Sequence, residues 1–478
     1  MELIGRHFEI DYLHSKLTTP QSEMIAVYGR RRVGKTFLVK EVFKNQMAFH
    51  FTGLYKGTPT EHLIEFSKTL NAFDKRSKLH PTYTNWFSAL DGLKDYVSSL
   101  RRRTKKVIFL DELPWIATDR SRFLTAFSNF WNTWAANRTD IVVVICGSAA
   151  SWIINKVVKD KGGLHNRITG SIRLEPFNLY DTALFINKIS PSLQRDQIIN
   201  LYMIFGGVPY YLSKVKNGES AIQSVDRLCF AKNGELRKEY DILFASLFNI
   251  SANHLVVVAK LALFPRGLTR NELTAKAKIK TGGALTKLLD ELIESGFIAQ
   301  YIPFGKSIKD AKIKLIDHFS LFYHKYLANH ISGTYRSWEK IAATPTWASW
   351  SGLAFENLCM KHLLQIKIAL KIDGIDTAIS TWHHIGNDEI NGAQIDLLIN
   401  RADGVINVCE IKYSGEPYFI TKKYANEFKL KIASFKYFTK TRKSIFATMI
   451  TNTPLKENIH SNGFISQRVQ ADVFFVKV

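Results

Sequence analysis

The sequence predicts a chain of α/β class with several domains, and three apolar runs near its start carry that prediction. Met24 to Tyr28 form a short apolar run that leads directly into the segment GRRRVGKT. Val107 to Leu110 are followed by two carboxylates, and Ile141 to Cys146 are followed by Gly-Ser. Short, continuous apolar runs that end in polar loops are typical of buried strands in a parallel sheet.

Length and composition narrow the class of protein. At about 100–200 residues per domain, 478 residues predict two to four domains. Hydrophobic residues make up 46% and charged residues 22%, which is typical of folded protein and not of a disordered chain. The net charge of +23 favours a polyanion such as nucleic acid or an anionic membrane surface. No stretch approaches the roughly 18 apolar residues of a spanning helix, and the start lacks a signal-peptide core, so no membrane partner is predicted.

The cysteines indicate neither a metal site nor a disulfide framework. They are scattered and lack the paired spacing of a zinc site. A reducing, cytoplasmic location fits this pattern. The four cysteines are Cys146, Cys229, Cys359 and Cys409.

The segment Gly29 to Thr36 has the GxxxxGKT spacing of a phosphate-binding loop, with a predicted strand before it and an amphipathic helix after it. Its two glycines let backbone N–H groups surround phosphates, while the helix directs its positive end toward them. Lys35 would reach the β and γ phosphates of ATP, and Thr36 would offer its hydroxyl to Mg²⁺. The predicted nucleotide contacts in the loop and first helical turn are Gly29, Arg30, Arg31, Arg32, Val33, Gly34, Lys35, Thr36 and Phe37.

Polar residues follow the next two predicted strands. Asp111 and Glu112 end the VIFLDE run, about 75 residues after Lys35. Asp111 would hold Mg²⁺ through water, and Glu112 would polarise the attacking water. Ser148 is placed for a γ-phosphate sensor, with a helix N-cap as the alternative. Together these residues predict ATP binding and hydrolysis.

These segments resemble the AAA+ and STAND-related ATPases of archaea and bacteria that carry a helix-turn-helix module after the ATPase. The resemblance covers about the first 330 residues and rests on IGRHFEIDYL, GRRRVGKT, VIFLDELPW, ICGSAASWI, NRITGSIRLEPF and FGGVPYYL. It implies a homo-oligomer in which Arg167 reaches a neighbouring nucleotide. It also implies that Pro209 belongs to a helical lid beside the base, although a simple helix-breaking loop is the alternative. By analogy of context, the family points toward defence or mobile-element biology.

Leu255 to Leu327 resemble a winged helix-turn-helix module. One predicted helix presents a leucine face and ends near Gly296, a strand begins at Phe297, and FGKSIKDAKIKLID is the predicted wing. The leucine face comprises Leu285, Leu288, Leu289 and Leu292 together with Ile293.

The charges of this module argue against base reading. Its second helix would be the one to enter the DNA major groove, yet it carries Asp290, Glu291 and Glu294 against Lys287. The first helix and the wing are basic and would contact phosphates without sequence preference. An interdomain scaffold is the alternative. The basic residues are Lys276, Lys278, Lys280, Lys306, Lys309, Lys312 and Lys314.

After Trp347, a helix is expected to open at Phe355-Glu356. QIDLLI (Gln394 to Ile399) and VINVCEIKYS (Val405 to Ser414) then predict two strands separated by a turn. Because strand residues alternate faces, Glu410 and Lys412 lie on one face, with Asp396 on the neighbouring strand. A divalent metal would be held by Asp396, Glu410 and the carbonyl of Ile411, and would activate water for attack on a phosphodiester.

This arrangement resembles the PD-(D/E)xK nucleases, whose pattern is matched by Glu356, Asp396 and Glu410-Ile411-Lys412. Ile395 replaces the usual proline. The resemblance implies a restriction-endonuclease-like α/β domain that uses Mg²⁺ or Mn²⁺, with Lys412 orienting the nucleophile or steadying charge on the phosphate. Salt-bridged carboxylates on a half-exposed strand are the alternative.

Residues 413–478 hold 11 Lys and Arg against four acids, interleaved with aromatics, which suits a surface that follows a nucleic-acid backbone. DNA is favoured over RNA. A solvated helix with an aromatic core face is the alternative. His383 and His384, predicted to lie in a loop beside a polar turn, are assigned no role.

The predicted domains are an ATPase core at 1–185, a helical lid at 186–250, a winged helix at 251–335 and a nuclease-like domain at 345–478. Together they predict an ATP-controlled, metal-dependent nuclease. The alternative is an ATP-controlled DNA-binding regulator or scaffold with an inactive nuclease fold.

Overall fold

The chain divides into two compact units. The first comprises Met1–Pro176 with Asp290–Gly296, and the second comprises Phe177–Leu289 with Phe297–Val478. The first division falls before residue 185, the predicted end of the ATPase core. The computed structural model describes residues 3–76, 79–101, 104–148, 150–158, 166–247, 252–328, 337–387 and 391–478.

The first unit is a parallel sheet flanked by helices. In the order β2-β3-β4-β1-β5, every neighbouring pair of strands is parallel. The strands are β1 (Glu23–Tyr28), β2 (Met47–Thr52), β3 (Lys106–Asp111), β4 (Ile141–Gly147) and β5 (Gly170–Arg173). The helices are α1 (His7–Ser15), α2 (Lys35–Val42), α3 (Pro59–Phe73), α4 (Trp86–Ser99), α5 (Leu113–Ile116), α6 (Phe123–Thr133) and α7 (Ala150–Ile153).

The central strands of this sheet are buried on both faces. Met24 packs in one apolar core and the next residue, Ile25, packs in another, and Ile108 and Val107 divide in the same way. Alternation of this kind places one core on each face of the sheet. The three apolar runs are therefore strands β1, β3 and β4, as predicted, and their carboxyl ends meet at one edge of the sheet.

The second unit contains three sheets. A five-stranded mixed sheet has the order β14-β12-β10-β9-β8, and two pairs stand alone, β6 with β7 and β11 with β13. The strands are β6 (Ile298–Tyr301), β7 (Lys312–Leu315), β8 (Thr377–Gly386), β9 (Asn391–Arg401), β10 (Val405–Lys412), β11 (Tyr418–Phe419), β12 (Ser444–Thr451), β13 (Leu455–Lys456) and β14 (Gln467–Gln470).

The α-helices after β5 begin with α8. They are α8 (Leu179–Ile189), α9 (Arg195–Phe205), α10 (Pro209–Leu212), α11 (Ala221–Val225), α12 (Glu239–Leu247), α13 (Ala252–Ala262), α14 (Arg270–Ala277), α15 (Gly283–Glu294), α16 (His318–Phe322), α17 (Trp338–Ala342), α18 (Pro345–Lys361), α19 (Leu363–Ala369) and α20 (Lys422–Thr439). Residues 290–294 of α15 fall within the first unit. The remaining short helical segments, all 3₁₀ or π turns, are Ala135–Asn137, Ile154–Val158, Asp226–Phe230, Ile308–Asp310, Tyr323–Leu327 and Ala471–Phe475.

Helices α14 and α15 and the β6–β7 hairpin have the order predicted for residues 255–327. In α15, Leu285 and Leu292 are buried, and Gly296 follows the helix with a positive φ of 73°. The hairpin is antiparallel, with Ile298 opposite Leu315. The identification of this module as a winged helix stays a prediction.

Two local predictions in the C-terminal part are wrong. The helix expected to open at Phe355 begins ten residues earlier, at Pro345, because proline at the first helical turn is preset for helix and lacks only an N–H that would be unbonded there. His383 and His384 lie within strand β8 and not in a loop, because β8 pairs with β9 along most of its length.

The basic stretch that begins at Lys422 forms the long helix α20. Phe428 and Phe435 are buried in an apolar core with Trp382, so neither ring is available to stack on a base. Lys422, Lys429 and Lys436 are exposed on the same helix. Phe428 and Phe435 therefore follow the core-face alternative, whereas Tyr437 and the lysines are exposed.

All four cysteines are buried and free of disulfides. Within the described ranges, no helix combines the length and apolar character needed to cross a bilayer.

Candidate functional site

The segment between β1 and α2 forms a loop whose backbone requires glycine at its start. At Gly29, φ is +137°, and a Cβ atom would lie 2.4 Å from the carbonyl oxygen of Leu174. A side chain there would collide with backbone that cannot swing away. Gly34, with φ of +92°, is the N-cap of α2, so the loop turns directly into the amino end of a helix.

Lys35 is buried inside this loop. Its ammonium donates hydrogen bonds to the carbonyl oxygens of Gly29 at 3.0 Å and Arg30 at 2.9 Å, and to Ser148 Oγ at 3.1 Å. The ammonium of Lys35 is thus held by neutral oxygen acceptors of the loop and of Ser148. Phosphate oxygens would be stronger acceptors for it, because they are charged.

Thr36 and Asp111 lie side by side at the end of β3. The Thr36 hydroxyl donates to Asp111 Oδ2 at 2.7 Å, and the backbone N–H of Glu112 donates to Asp111 Oδ1 at 3.0 Å. A hydroxyl beside a carboxylate is a donor set of hard oxygen atoms, which fits Mg²⁺.

Glu112 faces Ser148 at the end of the neighbouring strand. Ser148 donates to the carboxylate through its hydroxyl at 2.7 Å and through its backbone N–H at 3.2 Å. Since Ser148 also accepts from Lys35, the three predicted residues form one connected polar group. Their roles in catalysis stay predictions.

The other predicted contacts of the loop differ in exposure. Arg30 and Val33 are buried within the loop, whereas Arg31, Arg32 and Phe37 are partly exposed. These five residues therefore line the same short segment as the lysine.

Two resemblance-based residues lie elsewhere. Arg167 is exposed in a turn before β5. Pro209 is at the start of α10, after Gly207, where a Cβ atom would lie 2.1 Å from the carbonyl oxygen of Phe177. Gly207 thus serves close backbone packing, and a contact between Pro209 and a nucleotide base stays a prediction.

Arg6 supports the loop and was not predicted as a site residue. Its guanidinium donates to the backbone oxygens of Glu175 at 2.5 Å and Val33 at 3.5 Å. No pattern in the sequence indicated this role, because both of these partners are backbone oxygens.

A second polar group forms where β9 and β10 pair. Leu397 lies opposite Cys409 in an antiparallel ladder, so the flanking residues Asp396 and Glu410 come next to each other across the strands. Lys412 lies two residues beyond Glu410, on the same face.

Glu410 is fully buried and already has three partners. Lys431 lies 2.7 Å from Glu410 Oε1, the Tyr424 hydroxyl donates to Oε2 at 2.9 Å, and Lys412 lies 3.6 Å from Oε2. Burial and the negative charge of Glu410 raise the pKa of Tyr424, so its phenol remains a donor. Both carboxylate oxygens of Glu410 therefore already have a polar partner within the protein.

The environment of Glu356 and Asp396 disfavours the charged form of both carboxyl groups. Burial and, after it, the negative charge of Asp396 together raise the pKa of Glu356 to about 8, against the effects of Lys314 and Lys412. Burial and the charge of Glu410 also raise the pKa of Asp396. These carboxylates lack enough positive charge nearby to be ionised at little cost.

The chemistry of this group fits a divalent cation held by oxygen atoms, since two carboxylates with raised pKa values would be stabilised by added positive charge. Gln394 Nε2 donates to Asp396 Oδ1 at 3.4 Å and lines the same region. In the part of the chain that the structure describes, no three His, Cys, Asp or Glu side chains are placed to hold a metal together. The predicted set therefore depends on two carboxylates and the backbone oxygen of Ile411.

Three residues of this group were not predicted as site residues. Tyr424 and Lys431 are seven positions apart on α20, a spacing that returns to the same helix face and offered a signal. Lys314 belongs to β7, where Ile313 and Leu315 are buried, so alternation directs it to the other face. No pattern in the sequence indicated that this face approaches Glu356.

Comparison with known proteins relates the first part of the chain to a family. Residues 3–215 match the family described as an ATPase domain predominantly from Archaea. An uncharacterized protein of Methanocaldococcus jannaschii is 26% identical over 427 residues, covering 86% of this chain and 87% of that protein. An uncharacterized ATP-binding protein of the same organism is 40% identical over 43 residues, 9% of this chain and 73% of its own.

One solved structure supports the fold. The Walker-type ATPase of Pyrococcus abyssi superimposes with a TM-score of 0.52 at 18% identity, over 68% of this chain and 96% of that chain. At this identity the likeness concerns the fold alone. It agrees with a parallel sheet that carries a phosphate-binding loop.

Proposed function

Because residues 3–215 form an archaeal-type P-loop ATPase domain, we propose that the chain uses ATP to control a metal-dependent phosphodiesterase site. That site comprises Glu356, Asp396, Glu410 and Lys412, and its substrate is nucleic acid. The observation that carries the proposal is the convergence of these side chains with two carboxylates of raised pKa.

In the ATPase domain, each predicted residue has a separate task. Lys35 holds the phosphates, and Thr36 with Asp111 would hold Mg²⁺, which neutralises phosphate charge when bound. Glu112 orients the attacking water, and its link to Ser148 places it beside the lysine. Hydrolysis at this site would therefore change the contacts of Ser148.

In the second unit, Asp396, Glu410 and the Ile411 carbonyl would hold Mg²⁺ or Mn²⁺, which lowers the pKa of bound water. Glu356 has a pKa of about 8, so near neutral pH it can accept or donate a proton at the same group. Lys412, partly exposed beside Glu410, would stabilise charge on the phosphate oxygens.

The second unit also contains a connection from the predicted lid to this site. Tyr413, which follows Lys412, donates its hydroxyl to Asn200 of α9 at 2.8 Å. Helix α9 ends at Phe205, and its C-cap Gly206 leads into the predicted lid segment that contains Pro209. A shift of α9 would therefore move Tyr413, the residue next to Lys412. This contact supports the proposal that nucleotide controls the site.

Exposed Arg167 supports a further part of the proposal, assembly into a homo-oligomer. An exposed arginine is accessible to a neighbouring copy, where it would stabilise phosphate charge. Mixing Arg167→Ala chains with Lys35→Ala chains tests this directly. ATP turnover that neither variant shows alone should return in the mixture, and no return would show that Arg167 does not act between copies.

The decisive experiment is a cleavage assay with labelled DNA and RNA, in single-stranded and duplex form. Wild type is compared with Asp396→Ala, Lys35→Ala and the matched control Asp373→Ala, an exposed aspartate of the same unit. Each protein is incubated with Mg²⁺ or Mn²⁺, with and without ATP. We expect cleavage by wild type and Asp373→Ala, none by Asp396→Ala, and loss of ATP dependence in Lys35→Ala.

One observation favours a second function, an ATP-controlled DNA-binding regulator or scaffold with an inactive nuclease fold. Both oxygens of Glu410 are already bonded to Tyr424 and Lys431, as in a structural ion pair. If wild type and Asp396→Ala are equally inert on every substrate while both bind nucleic acid, this second function replaces the first.

A further inference from the structure

A cavity of about 1080 Å³ in the second unit contains more than the carboxylate group. It is lined by Glu356, Asp396 and Lys412, and also by residues around the β6–β7 hairpin. The region before and within that hairpin contributes Arg266, Lys306, Lys312 and Lys314 to the lining. Residues far apart in sequence thus line one cavity together with the proposed reaction site.

Some of these cations are already neutralised and others are not. Lys312 pairs with Glu272 at 2.8 Å, and Lys412 lies near Glu410. Arg266, Lys306 and Lys314 form no side-chain hydrogen bond or ion pair with any residue that the structure describes. Three cationic groups lining one cavity therefore lack a protein anion in contact.

Two of these cations lie close enough to act on groups across the cavity. Lys314 lowers the pKa of Asp396 against the larger effects of burial and Glu410. For His383, on β8, burial lowers the pKa most, and the charge of Arg266 lowers it further. The charges of Lys314 and Arg266 therefore act on Asp396 and on His383, respectively.

The size of the cavity discriminates between forms of nucleic acid. A duplex about 20 Å across, rising about 3.4 Å per base pair, would fill this volume with about one base pair. A single strand needs far less width, and its unpaired bases leave the backbone free to follow a row of cations.

We propose that this cavity binds a single-stranded segment of nucleic acid, with Arg266, Lys306 and Lys314 contacting its phosphates. The inference rests on the proposed function, because the bound strand is the substrate presented to Asp396. Phosphodiester chemistry is common to DNA and RNA, so both single strands are candidate ligands.

The test measures binding of labelled oligothymidine, oligouridine and a blunt DNA duplex to the full chain carrying Asp396→Ala, which prevents cleavage. A triple variant, Arg266→Ala, Lys306→Ala and Lys314→Ala, is compared with a control of equal charge loss. The control changes Lys216, Lys232 and Lys340 to alanine; these exposed lysines of the same unit do not line the cavity.

For single strands, each lost phosphate contact lowers the slope of log affinity against log salt by about 0.7. The slope of the triple variant should therefore be shallower than that of its parent by about 2. Between about 50 and 200 mM salt, the fold-loss of affinity should be about 15 times smaller for the triple variant than for the parent. The control triple should keep the parent slope, and matching urea-unfolding transitions of the second unit verify that all the proteins are folded.

The outcomes separate this inference from the proposed function. Equal slopes for the two triple variants, or tighter binding of duplex than of single strand, would overturn the cavity as a single-strand site even if Asp396-dependent cleavage is seen. Conversely, the slope could be reduced only in the cavity variant while wild type shows no cleavage. That result would support the single-strand site and refute the proposed phosphodiesterase activity. Comparing the two oligonucleotides decides between DNA and RNA.

Discussion

Replacing Glu356 with glutamine should change how the stability of the second unit depends on pH. The pKa of Glu356 is about 8 in the folded chain against an ordinary value of 4.5, chiefly because of burial. Its contribution to stability is therefore complete below about pH 4.5 and is lost as pH rises toward about 8. In that window the folded chain holds a proton that the unfolded chain has released.

The magnitude follows from linkage. One proton corresponds to about 1.4 kcal/mol per pH unit. Because Glu356 is partly exposed, solvent screening reduces this, and we expect the unfolding free energy to fall by about 1 to 2 kcal/mol between about pH 5.5 and 7.5. Glu356→Gln retains the shape and removes the charge, so this loss should disappear.

The measurement is hydrogen–deuterium exchange of peptides from β9 and β10 at several pH values, corrected for the intrinsic exchange rate. Glu427→Gln, at an exposed position on α20, is the matched control and should behave as wild type. If wild type and Glu356→Gln show the same corrected pH dependence, the raised pKa is refuted.

Four further predictions test other parts of the structure. Glu112→Gln should retain ATP binding but lower turnover by about 100-fold or more, as shown by parallel nucleotide-binding and phosphate-release assays; unchanged turnover would exclude Glu112 as the group that orients water. Gly29→Ala should abolish ATP binding because its Cβ has no room, whereas Gly374→Ala, with open space around it, should not. Lys431→Met should destabilise the second unit by about 2–3 kcal/mol in urea unfolding, because a buried carboxylate loses its closest cation; a loss below about 0.5 kcal/mol would mean that the pair is of little consequence. Phe428→Ala should cost about 3–5 kcal/mol by the same measurement while nucleic-acid affinity is retained, and weaker binding by a stable variant would contradict its role in the core.

Much of the nucleotide site follows from local sequence. A strand, a glycine loop and a helix are adjacent in the chain, so GRRRVGKT specifies its own geometry with few distant contacts. Asp111 and Ser148 needed one additional inference, that parallel strands end at a common edge, and the structure places Asp111 2.7 Å from Thr36. Arg6 was missed because its partners are backbone oxygens, which leave no pattern in the sequence.

The pair Asp396 and Glu410 was also within reach of sequence, because a short hairpin sets the register between its strands. The position of Glu356 in a helix was expected, but the start of that helix was not. Periodicity locates the faces of an element more reliably than its ends, which depend on capping and on residues such as Pro345.

Tertiary structure alone decided how the later modules combine. The sequence divides residues 186–478 into a lid, a winged helix and a nuclease-like domain, yet one compact unit contains all of these residues except Asp290–Gly296. His362 shows how: its ring accepts a hydrogen bond from the backbone N–H of Leu179 at 2.9 Å and packs against Tyr202.

The chemical groups of this protein were therefore determined by its sequence: a phosphate loop, a pair of carboxylates on paired strands and an excess of basic residues. Which of those groups meet was decided by the fold. Interactions between distant segments depend on how whole elements pack. One example is the charge of Lys314, which lowers the pKa of Asp396. Packing is specified by many weak apolar contacts that no short motif records.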